Sequence, residues 1–159
     1  MACMPPPNIT LFERRKIQAE MLVPMLQAFQ RAMGTERANE IARQVIIELG
    51  TKQGASWAQQ FGDDLSGMEK VSGVWAAGGS LDIKPIAKSA DRLEFNVTRC
   101  QFAELYKELG LPELGFLLHC SRDFAVVDGF SSSLALKRTQ TIMQGASHCD
   151  FRFARKDPT

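Results

Sequence analysis

An α+β domain, with helices first and an antiparallel sheet after, is predicted by three features of the sequence. Apolar residues recur at helical spacing up to about residue 77, they alternate with polar residues after Ser80, and glycine pairs and turn residues punctuate the change. Strands that follow helices and connect through short turns favour hairpins over parallel crossover units.

Three consecutive prolines at Pro5 to Pro7 lack a backbone donor and favour an extended chain, so residues 1–8 are expected to form a flexible leader ahead of a single domain over 9–156. Ile9, Phe12, Ile17 and Met21 then recur with helical spacing, and Thr10 with Glu13 has the form of a capping box. A second helix is expected from a cap at Thr35 through Ile41, Val45, Ile46 and Leu49, with Gly50 and Gly54 marking its end or a break. A third covers about 61–77 and closes at Gly78 and Gly79. These three read as scaffold and oligomer surface, amphipathic without an unusual stripe.

Leu81, Ile83, Leu93, Phe95 and Val97 alternate as a first hairpin whose turn spans Lys88 to Arg92. Helical spacing resumes from Cys100 to Leu109, stops at Gly110 and restarts at Pro112, a residue suited to a first helical position. Leu134 to Met143 and His148 to Ala154 alternate again as a second hairpin, joined by a segment containing Gly145.

Hydrophobic residues make up 45% and charged residues 23% of the 159, an ordinary globular mixture. A formal net charge of +1 leaves no basic excess for a phosphate backbone, so nucleic acid is not an expected partner. No apolar run approaches the roughly 20 residues of a membrane span, and the N-terminus lacks a signal-peptide layout. The expected location is cytoplasmic, with no membrane partner and with Cys3, Cys100, Cys120 and Cys149 as free thiols. A homo-oligomer is left open.

Thr98 and Gln101 have the spacing of a second capping box, which would set Cys100 in the first turn of its helix. Backbone donors and the helix dipole favour a thiolate there, and Arg99 adjoins it, so Cys100 is the leading nucleophile candidate. On the next helix, Phe116, Cys120, Asp123 and Val127 share a face, and His119 lies one turn before Asp123 as its expected partner. Burial would raise the carboxyl's pKa toward values useful in proton transfer. Alternation over Leu134 to Ile142 puts Arg138 and Gln140 among apolar residues, where a guanidinium needs an acid or a ligand. In the last strand Cys149, Phe151 and Phe153 share one face, and Asp150 and Arg152 the other.

His119–Cys120 and His148–Cys149 invite a zinc site, but adjacent side chains diverge by about 100° on a helix and about 180° on a strand. No metal ligand set and no cofactor is expected, with a divalent ion as the lesser alternative. Phosphate-binding loops, nucleophile elbows and dinucleotide fingerprints are absent.

The segment Asn96 to Gly110 with its Thr-Arg-Cys, the stretch Cys120 to Asp123, and Arg138-Thr-Gln-Thr-Ile ahead of Cys149-Asp-Phe-Arg-Phe together resemble the L-2-amino-thiazoline-4-carboxylic acid hydrolase family over about 91–153. The resemblance implies ring-opening hydrolysis of a small carboxylated cyclic amidine or amide, independent of a cofactor. Cys100, Asp123, His148 and Cys149 would then be catalytic, and Arg99, His119, Arg138, Asp150 and Arg152 would hold the substrate. Cys100 attacks the ring carbon in one version; in the other, Asp123 or His148 activates water. A non-enzymatic small-molecule sensor using the same residues is the competing class.

Overall fold

A computed structural model describes residues 9–156; the expected leader at 1–8, including Cys3, lies outside the described residues. The predicted α+β class holds, with helices at the N-terminal end and a four-stranded antiparallel sheet at the C-terminal end. Helix α1 spans Leu11–Met33, α2 spans Thr35–Phe61 and α3 spans Leu65–Ala76. The Thr10 hydroxyl accepts from Glu13 N while the Glu13 carboxylate accepts from Thr10 N, which makes the expected capping box.

Helix α2 differs from the sequence reading in two ways. Gly34, not Thr35, is its cap, and it runs through Gly50 and Gly54 without a break. Those glycines are contact points. A Cβ on Gly54 would lie 2.0 Å from the Val126 carbonyl oxygen, and one on Gly129 would lie 2.1 Å from that of Thr51. Helix α6 (Arg122–Phe130) therefore rests against α2 backbone to backbone. The helix-breaking tendency of glycine is offset here by tertiary contact that no side chain would permit.

Strands β1 (Leu81–Lys88) and β2 (Arg92–Cys100) form the first expected hairpin. Strand β1 occupies one edge of the sheet and is bulged next to Pro85. The sheet order is β1-β2-β4-β3, so β4 (Cys149–Arg155) lies between β2 and the four-residue β3 (Leu134–Lys137). The second pairing is antiparallel as expected, but β3 ends six residues early. From Arg138 the chain leaves the sheet, passes through a 3₁₀ turn at Ile142–Gln144 and a left-handed Gly145, and returns at Cys149. Asp150 holds this loop by accepting from Thr139 N, Thr139 Oγ1 and Gln140 N.

One face of the sheet carries Leu93, Phe95, Val97, Phe151 and Phe153 and buries them against α3, α6 and Trp57. Phe95 and Phe151 stack with centroids 5.2 Å apart. A second apolar cluster joins α1 and α2 to α4 (Gln101–Glu108) and the segment around Leu114 to Leu118, with Tyr106 at its centre. The site lies where the two clusters meet.

Gly54→Ala is expected to lower unfolding free energy in denaturant titration by about 3 kcal/mol, because rigid backbone must move. Gly73→Ala, where nothing stands within 4 Å of the added carbon, is the control and should stabilise α3 by up to about 1 kcal/mol.

Candidate functional site

A cavity of about 90 Å³ opens between the sheet, α6 and the first turns of α1. That is room for several waters and less than the roughly 150 Å³ that encloses a benzene-sized ring, so a ring compound would extend toward the cavity mouth. Its walls are apolar and largely aromatic: Trp57 of α2, Trp75 of α3, Phe102 of α4 and Phe151 of β4. Polar groups enter from four places, Arg15 on α1, His119 and Cys120 before α6, Arg122 and Asp123 at its start, and Arg138 in the loop after β3.

The route from α5 (Pro112–Gly115) to α6 passes through a π-helical turn at Phe116–Cys120, where Ser121 N donates to the Phe116 carbonyl at 2.9 Å. The extra residue in this turn rotates what precedes it relative to α6 and sets His119, Cys120, Arg122 and Asp123 on the cavity wall together. His119 was expected to partner Asp123. Its Nε2 instead lies 3.1 Å from the hydroxyl of the fully buried Tyr106. Burial, with Arg15 and Arg122 nearby, pushes its pKa down to about 3, so the ring is neutral.

The partner of Asp123 is Arg138, which ion-pairs with its carboxylate and donates through Nη2 to the Cys120 carbonyl at 2.8 Å. Phe124 and Phe151 lie under the same guanidinium, with ring centroids 5.1 and 5.4 Å away. Burial raises Asp123 to about 6 despite the lowering by Arg138 and Arg122. Its side chain keeps 23% of its surface open and lines the cavity. A carboxyl poised near neutrality and in contact with the cavity can accept or release a proton there.

Cys100 corrects the thiolate expectation. It is itself the N-cap of α4, at the end of β2, while Thr98 stays in the strand and donates to the Asp82 carbonyl, so the second capping box does not form. Burial raises the Cys100 thiol to about 11, outweighing the backbone donors of Ala103 and Phe102. Cys120 and Cys149 are also raised by burial, and Ile142 N donates to the Cys149 sulfur at 3.2 Å. All three thiols face the cavity protonated.

The other sequence candidates lie elsewhere. Arg99 is at the surface, paired with Glu104 at 2.8 Å. Arg152 crosses the opposite face of the sheet and donates to the Phe95 carbonyl and the Asn96 amide oxygen. Asp150 holds the loop described above, and His148 contacts Ser147 and Gln140. Alternation along β4 sets Asp150 and Arg152 on the face opposite Cys149 and Phe151, while His148 precedes the strand and Arg99 is turned to the surface at the register shift between β1 and β2.

Arg15 and Arg122 escaped the sequence reading. Arg122 is buried, and its hydrogen bond among the described residues is a long one of 3.4 Å to the Leu49 carbonyl. Arg15 donates to the neutral Gln18 amide oxygen. Neither forms an ion pair among the described residues. Burial first, and then repulsion from Arg122 and Arg14, lowers Arg15 to about 10. Three guanidiniums thus line a cavity whose one carboxylate, Asp123, is already engaged by Arg138. Among the described residues no three His, Cys, Asp or Glu side chains converge to hold a metal ion.

The model of the L-2-amino-thiazoline-4-carboxylic acid hydrolase family matches residues 14–153, most of the chain. No curated protein matches it. Among solved structures, the phenol-responsive sensory domain of the transcription activator PoxR, with phenol, superposes with a TM-score of 0.50 at 12% identity, over 84% of this chain and 72% of that one. At that identity the likeness is one of fold.

Asp123 keeps its proton in the fold up to about pH 6, against an ordinary value of 3.8, so the stability it contributes is present below about pH 4 and lost as pH rises through 6. The wild type should therefore lose on the order of 3 kcal/mol relative to Asp123→Asn between pH 4 and 7, measured by urea unfolding. Peptide-resolved alkylation should label Cys100 slowly at neutral pH, with a rate that climbs toward pH 11.

Proposed function

Because the chain belongs to the L-2-amino-thiazoline-4-carboxylic acid hydrolase family, we propose that its cavity binds a small planar ring carrying a carboxylate and opens that ring by hydrolysis. The observation that carries the reading is the excess of positive charge in an apolar enclosure. Arg122 is buried and Arg15 half-buried, neither has a carboxylate partner among the described residues, and withdrawing unpaired charge from water is costly. A substrate carboxylate supplies the missing partner, and guanidinium forks suit it in geometry as well as charge. Trp57, Trp75, Phe102 and Phe151 offer flat apolar surfaces to the ring.

Asp123 is the proton carrier. As the carboxylate it takes a proton from water while the water oxygen bonds to the amidine or amide carbon. As the acid it returns that proton to the ring sulfur or nitrogen when the bond between that atom and the carbon breaks. Arg138 holds the carboxyl toward the cavity and keeps its pKa from rising further. Neutral His119 offers a hydrogen bond to the ring without adding charge. Direct attack by water is favoured over a Cys100 nucleophile, since a thiol near 11 is almost wholly protonated at neutral pH.

The second reading, binding without turnover, draws on the buried, unactivated thiols and on the shared fold with a domain that responds to phenol. The same cavity would then recognise a small ring and transmit its occupancy.

With L-2-amino-thiazoline-4-carboxylate and metal-stripped protein, the expected result is turnover whose rate rises through about pH 6 as Asp123 ionises. Cys100→Ser should keep near-normal kcat, Asp123→Asn should lose about 10²-fold or more, and Arg122→Met should raise KM with little change in kcat. A Cys100→Ser variant without activity would return the nucleophile role to that thiol. Saturable binding with no turnover in the wild type would favour the second reading.

A further inference from the structure

Helix α1 is apolar on two opposite sides. Ala19, Val23 and Leu26 face the second cluster and are buried, yet Ile17, Met21 and Met25 remain 60%, 68% and 46% exposed on the side turned away, with Phe29, 48% exposed, at its border. At about 100° per residue, Ile17, Met21, Met25 and Ala28 fall in one stripe opposite the core face, with outward-facing Pro24 beside them. A helix that is apolar all round is normally buried all round. Nothing in 9–156 covers this side.

We infer that the outer face of α1 is a two-fold homodimer interface, in which α1 packs antiparallel against α1 of a second copy about an axis between Met25 and Leu26. Two observations favour a second copy. First, the exposed surface of Ile17, Met21, Leu22, Met25 and Phe29 amounts to on the order of 550 Å² per chain, the larger part of the ~800 Å² each partner gives to a standard interface. Second, the charges bordering the stripe are self-complementary. Glu20 and Arg31 lie on the same border, both exposed and neither ion-paired among the described residues. About that axis, position 20 of one copy faces position 31 of the other, twice over, and Leu22 faces Phe29 in the same way. Such reciprocity is what an isologous contact demands of a single surface.

The arrangement bears on the cavity without depending on the reaction performed in it. Leu11 and Arg15 enter the cavity from the first turns of the helix whose outer side is buried by the partner. Dimer formation therefore fixes one wall of the cavity.

The test is sedimentation equilibrium of the full chain. The wild type should be a dimer in the micromolar range, Met21→Glu with Met25→Glu should be a folded monomer by far-UV circular dichroism, and Glu20→Arg or Arg31→Glu alone should weaken association about tenfold. Glu20→Arg combined with Arg31→Glu should recover it, which only a contact of α1 with itself allows. A monomeric wild type, including one that binds anionic vesicles through this face, overturns the inference, and so do single charge reversals without effect or a double variant without recovery.

Discussion

Helices α2 and α6 touch backbone to backbone at Gly54 and Gly129, and the position of the site follows from that contact. With any Cβ between them, α6 would stand farther from α2, and Arg122 and Asp123 at its start would move with it. Trp57, one turn after Gly54, could not then close the same cavity from the α2 side. The close approach also explains why α2 spends two interior glycines at a conformational cost: the contact they permit is worth more than the helix propensity they forgo.

Inside the cavity, burial outweighs local activation. The N-terminus of α4 and its backbone donors act on Cys100 in the direction of a thiolate, but desolvation moves the thiol the other way and prevails. The same desolvation acts usefully on Asp123, where the ion pair with Arg138 restrains it near neutrality. One apolar enclosure thus disarms three thiols and arms one acid, which makes the site better suited to moving protons than to covalent attack.

The strand pairings were legible because period-two alternation in Leu93, Phe95, Val97 and in Cys149, Phe151, Phe153 is a local property of a half-buried sheet. Cys100, His119, Asp123, Arg138 and Cys149, all of which line the cavity, were legible as candidates because each is a reactive or ionisable group set in an apolar local pattern. What escaped was set by distant contacts. Gly50 and Gly54 look like a helix end until α6 is placed against them. Arg138 looks like a strand residue, but its attraction to Asp123, fifteen positions earlier, and the grip of Asp150 on Thr139 and Gln140 draw the chain out of the sheet. Arg15 carries no local mark at all, since it sits on a basic helical turn and gains meaning only where α1 closes over the cavity.

The edges of the sheet limit how copies of this chain can meet. Strand β1 carries Pro85, which has no amide hydrogen to offer, beside a bulge and between Lys84 and Lys88. At the other edge β3 presents only four residues. Neither border is a good template for an incoming strand, so ordered addition of further chains by main-chain pairing is discouraged even though the sheet is open on both sides. Association is left to the helical side of the molecule, where a closed pair can form without seeding a fibre.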